Sequence, residues 1–402
     1  MINILGIKID KIKKAEVLKK IEQFLASKKA HYIVTPNPEI ILQSMKDEEL
    51  FYVLNNADLS IPDGFGLKIA ALAMGKKIYR FTGADLVKEL IENKKFKNLK
   101  IGILNWNQSL SKKEDLIFLL TKCKIQNKVI DIDNNFKEIP QAMIEFSPEI
   151  LFLNLGAPYQ EKYIYHYYQK IPNLKLAIGV GGAFDFLTGK IKRAPKLMQI
   201  LGLEWLWRLF KQPWRLARIK NAVIVFPIKF IRWRFIRSFF YRPNVVCLLY
   251  KKENNIFKIL LLERVDQPGH WQIPQGGIDK ENLITAGKRE LEEEVGSNKF
   301  KVIKILKSVY RYKFTENNTC AGISSRLVHG YKGQKQSLLI AEFFGSDKDI
   351  KINFWDHSNW KWVDCDKVVN EVHELRQKGT KIFIQKFNNL QINKSSANWR
   401  NK

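Results

Sequence analysis

Glu290, Glu293 and Glu294 lie within the run Arg289-Glu290-Leu291-Glu292-Glu293-Glu294-Val295-Gly296. On a helix they fall at i, i+3 and i+4, so the three carboxylates share one face. Like charges at this spacing repel by roughly 0.2–0.5 kcal/mol per pair, a cost that a solvated acidic face tolerates. A hard divalent cation removes the repulsion, because Mg2+ favours carboxylate oxygens and bridges them to phosphates. Another carboxylate, Asp63, is wedged between Pro62 and Gly64, which puts it on a rigid turn at the lip of a pocket. Farther along, Gly156 and the run Gly179-Val180-Gly181-Gly182-Ala183-Phe184-Asp185 are turns where backbone can approach a phosphate, or else tight strand-to-helix connections.

Two kinds of framework must position these groups. Residues 1–200 alternate apolar, β-branched runs with helical stretches. HYIVTPN, LKIGILN, EILFLNLG and KLAIGVGG predict buried parallel strands ending in small or polar residues. EVLKKIEQFLASKK and EDLIFLLTKCK predict amphipathic helices. This α/β alternation implies a Rossmann-like parallel sheet, in which sites gather at the carboxyl ends of the strands. Thr35, Asn37, Asn105, Gly156, Gly181 and Gly182 sit at those ends. From about residue 241 the pattern shifts to strand-turn-strand with one strong helix at 283–295, an α+β reading. The expected organisation is a first domain at 1–202, a basic aromatic appendage at 203–240, a second domain at 241–390 and a tail at 391–402.

The 402 residues suffice for two or three domains, and 46% hydrophobic content supports ordinary cores. The net charge of +28 predicts attraction to polyanions such as RNA, anionic lipid headgroups or diphosphates; AT-rich coding would also raise the lysine count. Cys123, Cys247, Cys320 and Cys365 are scattered without a CxxC pair, which indicates reduced thiols rather than zinc ligands or disulfides. The opening MINILGIKID reads as a strand, without a signal-peptide layout. No apolar run reaches the roughly 18 residues of a transmembrane helix. Between Leu203 and Arg242 ten Lys or Arg stand against one acid, Glu204, with aromatics interleaved. That composition suits a membrane interface, and it is also compatible with RNA binding or with packing between domains. Pro213 and Pro227 are expected to break this stretch into short helices.

The flanks of the glutamate run resemble the Nudix box, G-x5-E-x7-R-E-U-x-E-E-x-G-U with U apolar. Glu281 stands eight positions before Arg289, and Gly276 and Gly277 supply the glycine turn. Four residues rather than five separate Gly276 from Glu281, and Ser297 takes the last apolar position. Tyr241-Arg242-Pro243-Asn244-Val245, Trp271 through Gly277, Gly333-Gln334-Lys335-Gln336 and Trp360-Lys361-Trp362-Val363 follow in order, a series similar to the bacterial RNA pyrophosphohydrolase branch of this family. The resemblance implies Mg2+-assisted attack of water on a nucleoside-diphosphate-linked substrate, an RNA 5′ end or a dinucleoside polyphosphate. It implies that Glu290, Glu293, Glu294 and Gly276 hold the metal, with a glutamate serving as base. By the same likeness Glu281 pairs with Arg289, and Arg264 and Lys335 contact phosphate. The family often carries a further glutamate before the W-K-W-V strand, where the nearest acid here is Asp356.

The first 220 residues resemble another family. Thr35-Pro36-Asn37-Pro38-Glu39, Pro62-Asp63-Gly64-Phe65-Gly66, Thr82-Gly83-Ala84-Asp85, Gly156 through Glu161, Gly179 through Asp185, Arg193-Ala194-Pro195 and Gly202-Leu203-Glu204-Trp205 occur in order. The series is similar to the WecB/TagA/CpsF glycosyltransferases, which move an N-acetylmannosamine-type sugar from a UDP donor to a polyprenyl-diphosphate-linked sugar. The resemblance implies Asp63 as the base that deprotonates the acceptor hydroxyl. It implies Thr35 and Asn37 at the sugar, and Asp85, Asn105, Gln160 and Glu161 at the donor or pocket. Arg215 and Arg218 would close over the diphosphate, with no metal or other cofactor required for transfer. Together the two likenesses imply a bifunctional enzyme, peripheral at the cytoplasmic face of the cell membrane. The alternative is a second half that senses nucleotides and regulates the transferase.

Overall fold

The structure, a computed structural model, describes residues 1–133, 136–211, 213, 216–278, 281–314, 319–320, 323–324 and 328–400. The chain forms two compact units, Met1–Ile231 and Arg232–Lys402.

The first unit opens with a hairpin of β1 (Ile2–Ile4) and β2 (Ile7–Ile9) where the sequence predicts one strand. Leu5 (φ 52°) and Gly6 (φ 92°) are both left-handed, and two such residues in succession fold the run back on itself. A six-stranded parallel sheet follows: β3 (His31–Val34), β4 (Leu59–Ser60), β5 (Ile101–Trp106), β6 (Asn127–Ile132), β7 (Ile150–Asn154) and β8 (Leu176–Gly179), in the order β4-β3-β8-β7-β5-β6. The four inner strands are the ones predicted from continuous apolar runs. Edge strands β4 and β6 lack that signature, since β4 has two residues and β6 exposes part of its length. Both faces of the sheet are buried, since every residue of β7 and β8 is, and one of them carries the larger core. Val17 and Ile21 of the Lys14–Ala26 helix, Leu86, Val87 and Leu90 of the Gly83–Glu92 helix, and Leu116 and Leu120 of the Lys113–Lys122 helix join Ile33, Ile103, Phe152 and Ile178 in one core. All strands are parallel, so their carboxyl ends emerge on one edge, and the loops there can share a site.

The unit ends in helices Glu204–Lys211, Leu216–Lys220 and Phe226–Ile231, with a π turn at Asn221–Val225. A break was expected at Pro227, yet the chain stays helical through it. Pro227 is the second residue of its helix, directly after the π turn, whose wider i→i+5 register accommodates the missing N–H. Phe226 and Phe230 are buried, whereas Ile224, Ile228 and Ile231 are half exposed. Among the described residues no helix is long and apolar enough to cross a membrane.

In the second unit Trp233 is buried and its Nε1 donates to the Val328 carbonyl. The sheet is mixed: β9 (Tyr241–Glu253), β10 (Ile256–Arg264), β11 (Trp271–Gln272), β12 (Gln275–Gly277), β13 (Phe300–Lys313), β16 (Gly333–Phe343) and β17 (His357–Asp364), with the short pair β14 (Thr319–Cys320) and β15 (Ile323–Ser324) apart from it. Strands β9 and β16 run parallel and the remaining pairs antiparallel. The period of two splits β9 between two cores. Val246, Leu248 and Tyr250 meet Phe383, Ile384 and Phe387 of the C-terminal helix, while Val245, Cys247 and Leu249 meet Ala286, Leu291 and Val295 of the Leu283–Val295 helix. The latter helix begins and ends where the sequence predicts. Asn282 caps it by accepting from the N–H groups of Ile284 and Thr285. Gly296 ends it at φ 68°, where a Cβ would lie 2.1 Å from the Lys351 carbonyl oxygen.

Candidate active sites

In the first unit the loops after β3, β4 and β8 meet. The Thr35 hydroxyl donates to the Gly179 carbonyl at 3.1 Å and ties the end of β3 to that of β8. Asp63 stands on the turn after β4, with its N–H donating to the Pro36 carbonyl. Gly64 leaves that turn at φ 109°, and a Cβ there would press on Pro38 at 3.0 Å. The Asp63 carboxylate accepts from the Gly83 N–H at 3.4 Å, at the start of the Gly83–Glu92 helix. A carboxylate is favoured at that end of a helix. Thr82 caps the same helix. Its hydroxyl accepts from the Asp85 N–H and donates to Asp85 Oδ2 at 2.6 Å.

Arg193 holds Asp85 with both Nη atoms, the second at 2.9 Å. Glu204 lies 3.9 Å from Arg193 and accepts from Arg80 at 2.6 Å. Burial alone would raise the Asp85 carboxyl, but the Arg193 and Thr82 hydrogen bonds outweigh it and hold Asp85 below the usual carboxylate range. The result is a charge-alternating row, Arg80–Glu204–Arg193–Asp85, beside Asp63. Neither arginine received a role from the sequence, although Arg-Ala-Pro was quoted as a motif, because their carboxylate partners lie 108 and 124 residues away along the chain.

Other predicted residues are engaged internally. Asn37 caps the Pro38–Ser44 helix by accepting from the Glu39 and Ile40 N–H groups. Arg218 grips Glu39 at 2.8 and 2.9 Å, and Arg215 lies outside the described residues. Asn105 is 1% exposed; its amide donates to Asp131 and to the Ser111 carbonyl and its oxygen accepts from Asn154. Gln160 packs on Gly179, accepts from the Gly181 N–H and donates to Glu161. Asn105, Gln160 and Glu161 therefore brace the loops from within.

Glu161 is buried with Oε2 unpartnered, and burial pushes its carboxyl up to about 7 from 4.5. Because the folded value is raised, the stability linked to this proton is fully present below about 4.5 and is lost as pH climbs through about 7. Glu161→Gln is expected to flatten denaturant-measured stability between pH 5 and 8 and to gain on the order of 1 kcal/mol at pH 8. An unaltered slope would show that Glu161 titrates normally.

In the second unit the Leu283–Val295 helix turns Ala286, Gly287, Glu290, Leu291, Glu294 and Val295 inward. Glu290 and Glu294 therefore lie at the edge of the buried face, and Glu293, 47% exposed, stands on the open flank. Arg289 organises the neighbourhood. It reaches Glu281 at 3.1 Å, Glu290 at 2.9 Å and Glu293 at 2.7 Å, and donates to the Gly277 carbonyl at 3.0 Å. Glu294 accepts from the Gln275 N–H at 2.8 Å. Burial, partly offset by Arg289, pushes the Glu290 carboxyl up to about 7. Buried Glu290 and Glu294 need compensation beyond the Arg289 guanidinium at Glu290 and the Gln275 N–H at Glu294, which fits the divalent ion that Nudix domains use.

Gly276 lies against Glu290, since a Cβ on it would fall 1.7 Å from Oε2. Gly276→Ala must displace that carboxylate, and a shift of about 1 Å at a reacting centre costs about 10²-fold in rate. We expect a loss of that order in hydrolytic rate with the fold retained by circular dichroism. Wild-type turnover would show that Glu290 can move without penalty.

The remaining predicted groups lie around this helix. Lys335 is exposed on β16, whereas Arg264 is locked bidentately to Asp266 at 2.8 Å. Two further groups come from the tertiary structure. Arg242 lies beside Gly277 and close enough to lower the Glu290 carboxyl. Asp356 and His357 bring one donor atom each to within 4.8 Å of Glu294. The W-K-W-V spacing had pointed at Asp356, but nothing in the sequence singled out His357.

Comparison with known proteins gives each part of the chain a family. Residues 2–239 match the Glycosyl transferase WecG/TagA/CpsF family, and residues 240–387 match the NUDIX domain. The N-acetylglucosaminyldiphosphoundecaprenol N-acetyl-beta-D-mannosaminyltransferase of Bacillus subtilis (strain 168) is 31% identical over 206 residues, which are 49% of this chain and 78% of the relative. The Staphylococcus aureus (strain MRSA252) protein of the same name is 24% identical over 230 residues, 56% of this chain and 89% of the relative. The RNA pyrophosphohydrolase of Wolbachia pipientis subsp. Culex pipiens (strain wPip) is 36% identical over 154 residues, 37% of this chain and 91% of the relative. With Asp63 at the edge of a parallel sheet in one unit and the glutamate helix against a mixed sheet in the other, the chain belongs to the WecG/TagA/CpsF glycosyltransferase family in its first part and to the Nudix hydrolases in its second.

Proposed function

We propose that the first unit transfers an N-acetylmannosamine-type sugar from a UDP donor to polyprenyl-diphosphate-linked GlcNAc. The second unit, in this reading, is a Mg2+-dependent hydrolase that removes pyrophosphate from 5′-triphosphate RNA. The observation that carries the first half is Asp63, a carboxylate presented at a sheet edge beside the Gly83 N–H and the Arg193 row. Asp63 takes the proton of the acceptor hydroxyl as that oxygen bonds to the anomeric carbon and the bond to UDP breaks. The positive charge of Arg193 meets the charge on the departing diphosphate. Support for docking on an anionic membrane comes from Phe210, Leu216, Ile224 and Ile228, which are exposed in the same helical stretch as the exposed cation Lys220. A lipid-linked acceptor requires such docking, which makes the protein peripheral at the inner membrane face.

In the hydrolase, Glu290, Glu293, Glu294 and Gly276 would hold Mg2+, which when bound supplies Lewis-acid polarisation and a more acidic water. Arg289 orients the glutamates, and Lys335 and Arg242 meet phosphate oxygens. Arg264 acts through Asp266, its bidentate partner, to shape the loop after β10.

The test is a panel of UDP-sugars with a short-chain GlcNAc-diphosphate-lipid, read by mass spectrometry, alongside triphosphate RNA and dinucleoside polyphosphates with Mg2+. Disaccharide from UDP-N-acetylmannosamine and pyrophosphate from RNA are expected. Silence across the donor panel removes the first half of the reading. Tight nucleotide binding without turnover makes the second unit a sensor instead.

A further inference from the structure

We propose that His357 supplies a nitrogen donor to a metal subsite shared with Glu294 and Asp356, and that this subsite prefers a first-row transition ion, Co2+ or Mn2+, to Mg2+. The inference deepens the hydrolase reading, because it names the ion for one part of that site.

Two independent observations carry it. The first is geometric. Glu294 lies in the last turn of its helix, Asp356 just before β17, and His357 at the first position of β17. One donor atom from each lies within 4.8 Å of the others. Ligands bound to one ion at about 2.0–2.2 Å sit at most about 4.4 Å apart, so only a small inward shift is needed. The second is an unmet polar group. His357 is 1% exposed, and neither of its ring nitrogens has a hydrogen-bond partner. The Asp356 carboxylate is 3.5 Å from Nδ1, too far to serve. Buried polar groups are nearly always paired, and one left unpaired costs about 1–3 kcal/mol. A bound ion satisfies one nitrogen and offsets the two carboxylates together.

The surroundings hold the donors in place. The Gln275 N–H fixes the Glu294 carboxylate. Asn353 donates its amide to the Glu293 carbonyl, and its own carbonyl accepts from the His357 N–H. The Val265 N–H holds the Asp356 carbonyl. The loop is thus pinned to the helix that carries Glu294, as outer-shell bonding does at metal centres. Asp356 is 41% exposed, which leaves the subsite open to water or phosphate on one side. Two carboxylates with one imidazole define the ion class. Mg2+ favours all-oxygen surroundings, whereas a nitrogen donor raises affinity along the Mn2+ to Zn2+ series.

The full chain, stripped of metal by a chelator, is titrated with Mn2+, Co2+ and Mg2+ by calorimetry. Nitrogen coupling to bound Mn2+ is recorded by pulsed electron paramagnetic resonance. The wild type is expected to show imidazole 14N modulation, absent in both His357→Phe and His357→Gln. The same variants should lose about tenfold or more in Co2+ and Mn2+ affinity but less than about threefold in Mg2+ affinity. His270→Phe serves as the control, because His270 is equally buried and unpartnered but lies outside the cluster. The wild-type spectrum decides the matter even if a variant fails to fold. No 14N modulation in the wild type, or modulation that persists in both His357 variants, overturns the assignment. Persistent His357 coupling in a chain that hydrolyses no triphosphate RNA would instead remove the hydrolase reading and leave the metal subsite standing.

Discussion

Asp63→Asn is expected to cut sugar transfer by about 10²–10⁴-fold, the range that a positioned general base supplies. The amide keeps the side chain's volume, and its oxygen can still accept from the Gly83 N–H, so the turn held by Pro36 should survive. Affinity for the UDP-sugar should stay within about threefold, because the change removes an interaction made in the transition state rather than in the ground state. Initial rates and calorimetry on the same preparation separate the two quantities. Transfer within tenfold of wild type would exclude Asp63 as the base. Asp85 could not readily substitute, since Arg193 and Thr82 hold it charged and fully engaged. RNA hydrolysis should be unchanged in this variant, and the retained UDP-sugar affinity serves as the control for folding of the first unit.

Glu290→Gln and Glu294→Gln should each lower hydrolysis by about 10²–10⁴-fold, since metal-supplied charge stabilisation is worth several kcal/mol and each 1.36 kcal/mol is tenfold in rate. Glu293→Gln should cost less, about tenfold, because Glu293 is half exposed and stays tied to Arg289 in a solvent-screened pair. This graded order depends on burial. The helix turns Glu290 and Glu294 toward the sheet, where a charge is expensive and an ion compensates most, and leaves Glu293 in water. Single-turnover rates with triphosphate RNA measure the order directly. Equal losses at all three positions would mean that the carboxylates act as one exposed cluster. Sugar transfer should be untouched by any of them.

Much of the architecture was legible because it rests on local pattern. Continuous apolar runs announced the four inner strands of the first sheet, which must be buried on both faces. The i, i+3 and i+4 spacing of Glu290, Glu293 and Glu294 announced the Leu283–Val295 helix of the second unit. Strands β4 and β6 escaped notice because an edge strand need not be wholly apolar. Pro227 misled because a proline rule assumes α register, and here a π turn precedes it.

What the chain alone determined were the groups whose meaning lies in their immediate neighbours: Asp63 between a proline and a glycine, and three glutamates on one helical face. Only the tertiary structure decided which of them are buried, that Asn105, Gln160 and Glu161 turn inward, and that Arg193, Arg242 and His357 stand beside the acids. Those pairings join residues from about 40 to more than 100 positions apart. Burial and long-range electrostatics depend on distances in space, and spacing along a strand or helix encodes such distances only within that one element.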